Sequence, residues 1–166
     1  MRKIQHTIDI PAAPTLVWQI LTATDQYADW NPFITQLDGE LREGERLRLR
    51  VTPGKRSMTF TPTVLAVQEH RLLRWRGRLG VRGIFDGVHE FRLEPLPDGG
   101  TRFIQRELFS GVLVPLLARV LDDTVAGFVV MNEALKDRAM AVRRDMETTV
   151  TKQSDVGATS HHKGMQ

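Results

Sequence analysis

The chain contains no cysteine. Disulfides, thiolate nucleophiles, iron–sulfur clusters and thiolate zinc sites are therefore excluded, and a reducing cytoplasm is the expected address. There is no run of the roughly 18 uninterrupted apolar residues that a membrane helix needs; the apolar stretch from Gly111 to Leu121 contains Arg119 and meets Asp122. No continuous apolar segment opens the chain, since Asp9, Pro11 and Pro14 break it, so no export signal is expected. Excess charge is also scarce. Lys and Arg number 23 against 20 Asp and Glu, a formal +3, and the arginines alternate with apolar residues instead of forming a block, which argues against a nucleic-acid partner. Gly77 to Gly83 lacks the Gly-Lys-Ser/Thr ending of a phosphate loop. Ser57 and Ser110 have no histidine or acid set out as in a nucleophilic triad. His161-His162 is a pair of adjacent imidazoles in a polar tail and a poor metal site, so neither a metal nor a cofactor is expected.

What is present is the balance of one globular domain: 166 residues, 41% hydrophobic and 26% charged. Lys3 to Ile10 alternate, with Ile4, His6, Ile8 and Ile10 on one side, which predicts a half-buried strand. Pro14 suits a first helical turn ahead of Leu16, Val17, Ile20 and Leu21. Thr24 and Asp25 cap a second brief helix that Asn31-Pro32 stops. From Phe33 to Phe109 the period becomes two, with turn signals about every ten residues, the pattern of an antiparallel meander. Leu47, Leu49 and Val51 alternate with Arg46, Arg48 and Arg50, and Leu73, Trp75 and Gly77 with Arg74, Arg76 and Arg78, so one face is wet. Met58, Phe60, Pro62 and Val64 read as one strand, and Phe85, His89, Phe91 and Leu93 as another.

Leu96-Pro97-Asp98-Gly99-Gly100 reads as a three-residue hairpin loop in which Gly99 takes the left-handed angle. Pairing Leu96 with Gly100 sets Leu93 opposite Phe103, Phe91 opposite Gln105 and His89 opposite Glu107. From Pro115 onward Leu117, Leu121, Thr124, Val125, Phe128, Met131, Asn132, Leu135 and Ala139 recur at helical steps. A helix of about 28 residues would cover the apolar side of the sheet along roughly 40 Å. Gly127 inside it costs about 1 kcal/mol relative to alanine, which points to close packing there. After Met146 the periodicity ends, so residues 1–146 read as the domain and 147–166 as a flexible tail.

The runs I-D-I-P-A-A-P-T-L-V-W at Ile8 to Trp18, W-N-P-F at Trp30 to Phe33, F-D-G-V-H-E-F at Phe85 to Phe91 and M-N-E-A-L-K at Met131 to Lys136, in this element order, carry a family resemblance. The chain resembles the START-like superfamily, also called SRPBCC or birch-allergen-like, and within it the bacterial polyketide cyclase/dehydrase-like branch. The resemblance spans residues 2 to about 143. It implies an α+β helix-grip fold, a seven-stranded antiparallel sheet wrapped around a long C-terminal helix with two short helices after strand 1. Between sheet and helix it implies a cavity for a lipid, polyketide or aromatic molecule. Transfer proteins, hormone receptors and cyclases share the fold, so it selects no single activity.

On that frame Met58, Phe60, Trp75, Phe85, Phe91, Leu117, Leu121, Phe128 and Met131 are the expected apolar wall, with Trp30 at its rim. Each could equally be solid core. His89, Gln105, Glu107 and Asn132 are the expected polar anchors, because a buried polar group without a partner costs on the order of 1–3 kcal/mol. His89 and Glu107 suit two roles, a self-satisfied cross-strand pair or the proton-transfer pair of a cyclase or dehydratase. The leading expectation is binding or transport of a small hydrophobic molecule by a monomer or homodimer. A third reading has the arginine rows meet an acidic partner.

Overall fold

The computed structural model describes residues 1–52 and 57–159, without the side chains of 120 and 150–159. His161 and His162 lie outside the described residues. The alternation at the start of the chain forms β1 (Arg2–Ile10), with Ile4 and Ile10 buried. Then come α1 (Pro14–Thr22), a 3-10 turn at Thr24–Gln26 and the four-residue α2 (Tyr27–Trp30). Pro14 stands in the first turn of α1, which buries Val17, Trp18, Ile20 and Leu21. The Tyr27 hydroxyl donates to the Leu21 carbonyl at 2.6 Å, satisfying an acceptor at the end of α1, and burial pushes its phenol pKa up.

The meander supplies β2 (Ile34–Asp38), β3 (Arg48–Val51), β4 (Met58–Phe60), β5 (Thr63–Gln68), β6 (Leu72–Leu79), β7 (Phe85–Pro95) and β8 (Thr101–Ser110). The expected single sheet of seven strands is instead a five-stranded sheet, β1-β8-β7-β6-β5, and a three-stranded sheet, β2-β3-β4. The segment from Met58 to Val64, read as one strand, breaks at Thr61-Pro62. Pro62 has no N–H to give a ladder, so Met58–Phe60 stays with β3 while Thr63–Gln68 pairs with β6. The sheets stay joined across the break. The Leu47 N–H donates to the Pro62 carbonyl, the Val64 N–H to the Glu45 carbonyl, and Arg46 bridges Thr63.

The β7–β8 hairpin has the register read from its turn: Leu93 faces Phe103, Phe91 faces Gln105 and His89 faces Glu107. The Leu96 N–H donates to the Gly100 carbonyl at 2.9 Å, and Gly99 has φ +83°. The long helix, α3 (Ala118–Thr159), begins three residues after Pro115, because Gly111 to Leu117 fold into turns closed on the Leu113 carbonyl. Its buried stripe of Leu121, Thr124, Phe128, Met131, Asn132, Leu135 and Ala139 follows the helical period and lies over the sheet.

The opposite face of the sheet holds a surprise. Glu90, only 2% exposed, takes hydrogen bonds from Arg74 (2.7 Å) and Arg92 (3.2 Å) and an ion pair from Arg106 (2.8 Å). Burial pushes its carboxyl up, but the bonds from Arg74 and Arg106 outweigh this and hold it below the usual range. Arg78 likewise pairs with Asp86. Part of the arginine row thus serves acids of its own chain.

A cavity walled by aromatics around a His–Glu pair

Strand alternation sends every second residue of β6, β7 and β8 toward α3, which builds a cross-strand row of Val64, Trp75, His89, Glu107 and Ile4. Trp75 and His89 stack with centroids 5.0 Å apart and planes 14° apart. Phe91 and Phe128 meet the same imidazole edge-on at 4.5 and 5.2 Å. His89 is therefore buried among aromatic rings. Its Nδ1 lies 3.2 Å from Glu107 Oε2, and its Nε2 lies 3.4 Å from Gln105 Nε2. With the Gln105 amide donating to Nε2, that atom is the acceptor and Nδ1–H donates to the carboxylate. Gln105 Nε2 also approaches Met131 Sδ at 3.5 Å, and the buried Gln105 Oε1 has no partner among the described residues.

Two glycines open space beside this pair. Gly77 pairs with Gly87, and Gly87 with Phe109. A Cβ on Gly87 would stand 2.6 Å from Glu107 Oε1, so the bare backbone is what lets the carboxylate lie there. Over the glycines lies a cavity of about 100 Å³, room for several waters at ~10–15 Å³ each. Phe33, Ile34, Leu49, Val51, Met58, Phe60, Pro62, Trp75, Leu79, Phe85, Phe109 and Leu121 give it apolar walls. His89, Glu107, Thr124 and Arg78 are its polar points.

Seven of the residues expected from sequence line this cavity: Met58, Phe60, Trp75, Phe85, His89, Glu107 and Leu121. Phe91, Gln105, Phe128, Met131 and Asn132 are fully buried outside the lining, where helix and sheet close on each other. Asn132 Nδ2 there meets His6 Nδ1 at 2.9 Å. Trp30 packs edge-on against Tyr27 at 5.2 Å, and Leu117 is half-buried in the turn before α3. The cavity thus occupies the end of the interior under the first turns of α3, not its whole length. Sequence reasoning left Phe33, Phe109, Gly87 and Thr124 out of the site. The legible signal was Gly87, a glycine inside a strand. Among the described residues no cluster of three or more His, Asp or Glu side chains could hold a metal ion, and no helix is long and apolar enough to cross a membrane.

A curved antiparallel sheet closing on a long C-terminal helix over a partly apolar cavity defines the helix-grip class. The chain belongs to the polyketide cyclase / dehydrase and lipid transport family, whose model matches residues 1–151. No curated protein sequence matches it. Among solved structures it is similar to a START superfamily protein from Mycobacterium smegmatis, with 20% identity, a TM-score of 0.66, and 84% of this chain and 98% of that one covered. A Mesorhizobium loti protein gives 22% identity, a TM-score of 0.66 and coverage of 82% and 95%. The Zhui aromatase/cyclase of a Streptomyces species gives 20% identity, a TM-score of 0.57 and coverage of 80% and 93%. At these identities the likeness is one of fold.

Proposed function

We propose that the chain binds a small hydrophobic molecule in this cavity and carries it, with Met58, Phe60, Trp75, Phe85 and Leu121 on its apolar part and Glu107, backed by His89, on a polar end. The observation that supports this most is the wall itself: twelve apolar residues line a space with only four polar points. Removing apolar ligand surface from water yields about 25 cal/mol per Å², and few polar groups are needed to orient the ligand. Native mass spectrometry of the purified protein, followed by organic extraction, tests it. A stoichiometric small molecule, displaced by a hydrophobic fluorescent probe and lost in Leu121→Arg, is the expected result. A protein that carries nothing and takes up no probe would refute the reading.

A second reading, cyclase or dehydratase, is favoured by one observation. Glu107 reaches the cavity while His89 Nδ1 sits 3.2 Å from it. A carboxylate so placed can take a proton from carbon next to a ligand carbonyl and return it to a departing hydroxyl as water leaves. Glu107→Gln would then abolish turnover of a β-hydroxy carbonyl substrate while changing its binding only a few-fold. Equal turnover in both proteins would end this reading.

A further inference from the structure

We propose that the end of the molecule formed by the β6–β7 turn and the β8–α3 connection docks on the surface of an anionic phospholipid bilayer. Leu79, Val81, Val112 and Leu116 expose between 50% and 78% of their surface there. The chain brings them together by backbone bonds. The Val112 N–H donates to the Gly83 carbonyl and the Leu113 N–H to the Ile84 carbonyl, both at 3.1 Å. Gly111, at φ +118°, lies so close that a Cβ would stand 2.3 Å from the Ile84 oxygen. The two segments are thus pinned to each other, with apolar side chains held outward at fixed places.

The surface beside this tip is basic. Arg76, Arg78 and Arg82 line one shallow groove together with Asp86. Asp86 is engaged by Arg78 at 3.0 Å and by the Gly83 N–H at 2.7 Å. Among the described residues no carboxylate pairs with Arg76 or Arg82. Aliphatic groups on a projecting tip, flanked by free guanidiniums, match the layered chemistry of a bilayer surface, acyl chains beneath anionic headgroups. A protein partner fits less well: four such side chains offer on the order of 400 Å², about half of the ~800 Å² that each partner buries in a stable interface. With no helix among the described residues long and apolar enough to cross a membrane, attachment would be peripheral. Leu79 and Arg78 also line the cavity, so docking sets the cavity wall at headgroup level. The inference goes beyond the function proposed above and does not depend on what fills the cavity.

Vesicle flotation tests it, with phosphatidylcholine alone and with about one third phosphatidylglycerol added. The wild-type protein is expected to float with the anionic vesicles and to be released as salt approaches about 0.5 M. Arg76→Gln/Arg82→Gln should weaken partition about fivefold per arginine removed. Val81→Asp/Val112→Asp, at exposed positions that leave folding intact by circular dichroism, should abolish it. No flotation with anionic vesicles, equal flotation with neutral ones, or full binding by either variant would overturn the proposal. So would a concentration-dependent dimer that Val81→Asp/Val112→Asp dissolves, since the tip would then serve a second copy. None of these results bears on whether the cavity holds a ligand.

Discussion

Gly127→Ala isolates how the cavity is shaped. A Cβ at position 127 would stand 2.2 Å from Phe33 Cδ2 and 2.4 Å from Cε2, so the ring must move. It has little freedom to do so. The Phe33 and Ile34 N–H groups both donate to Asn31 Oδ1, at 3.0 and 2.8 Å, and the ring meets Phe128 edge-on at 5.8 Å. Alanine gains about 1 kcal/mol of helix propensity over glycine. Overpacking against a pinned ring costs ~1–3 kcal/mol, so the net is a destabilisation of about 1 kcal/mol. Phe33 also lines the cavity, and its displacement should lower uptake of a hydrophobic probe. In a Phe33→Val background the obstacle is gone and Gly127→Ala should stabilise by up to about 1 kcal/mol, a coupling of ~2 kcal/mol in the double-mutant cycle. Urea denaturation of the four proteins, followed by circular dichroism, measures it. If Gly127→Ala stabilises the wild-type background by the full helical gain, with coupling near zero, the seat assigned to Phe33 is wrong.

Three further outcomes follow from the same geometry. Gly77→Ala meets only Pro62 Cβ, at 4.0 Å, so it should stabilise by about 0.5–1 kcal/mol while weakening probe uptake, as judged by melting and titration. Gly87→Ala should push Glu107 off His89; nitrogen NMR of the imidazole, showing an Nδ1–H tautomer in the wild type, should lose that bias, and an unchanged spectrum would count against the assignment. Glu90 has a carboxyl held low in the folded state, so its contribution is complete above the ordinary value of 4.5 and fades as pH falls through the lower folded value. Glu90→Gln should therefore flatten the acid limb of the stability profile and cost about 2 kcal/mol at neutral pH, less than a fully buried pair because its arginines stay 33–41% exposed.

The parts of the fold that local chemistry decides were legible. Pro97 and Gly99 define a turn, the turn defines a register, and the register places His89 beside Glu107 without any knowledge of the rest of the chain. The break at Pro62 was hidden for the opposite reason. Alternation continues on both sides of it, and a period of two records which face a residue takes, not which strand it pairs with. Glu90 was hidden in the same way. Its place among arginines reads as part of a wet face, and its burial arises only when β6 and β8 bring Arg74 and Arg106 to either side.

The position of the cavity shows most plainly where a sequence stops informing. The apolar stripe of α3 is as regular at Leu121 and Thr124 as at Met131 and Leu135, so periodicity alone predicts equal packing along the helix. What differs is the surface it meets. Farther along α3, Phe128 meets His89 and Met131 meets Gln105, the cross-strand partner of the buried Phe91, so the gap is filled, whereas toward Leu121 the sheet presents Gly77 and Gly87, which do not fill it. The void is made by residues without side chains on two neighbouring strands, paired with each other across the ladder. An amphipathic pattern registers the residues that are there, and so the whole inner face looked like one wall. The glycine pair is the feature that divides it into a solid half and a hollow half, and it puts the single carboxylate of the inner row at the boundary between them.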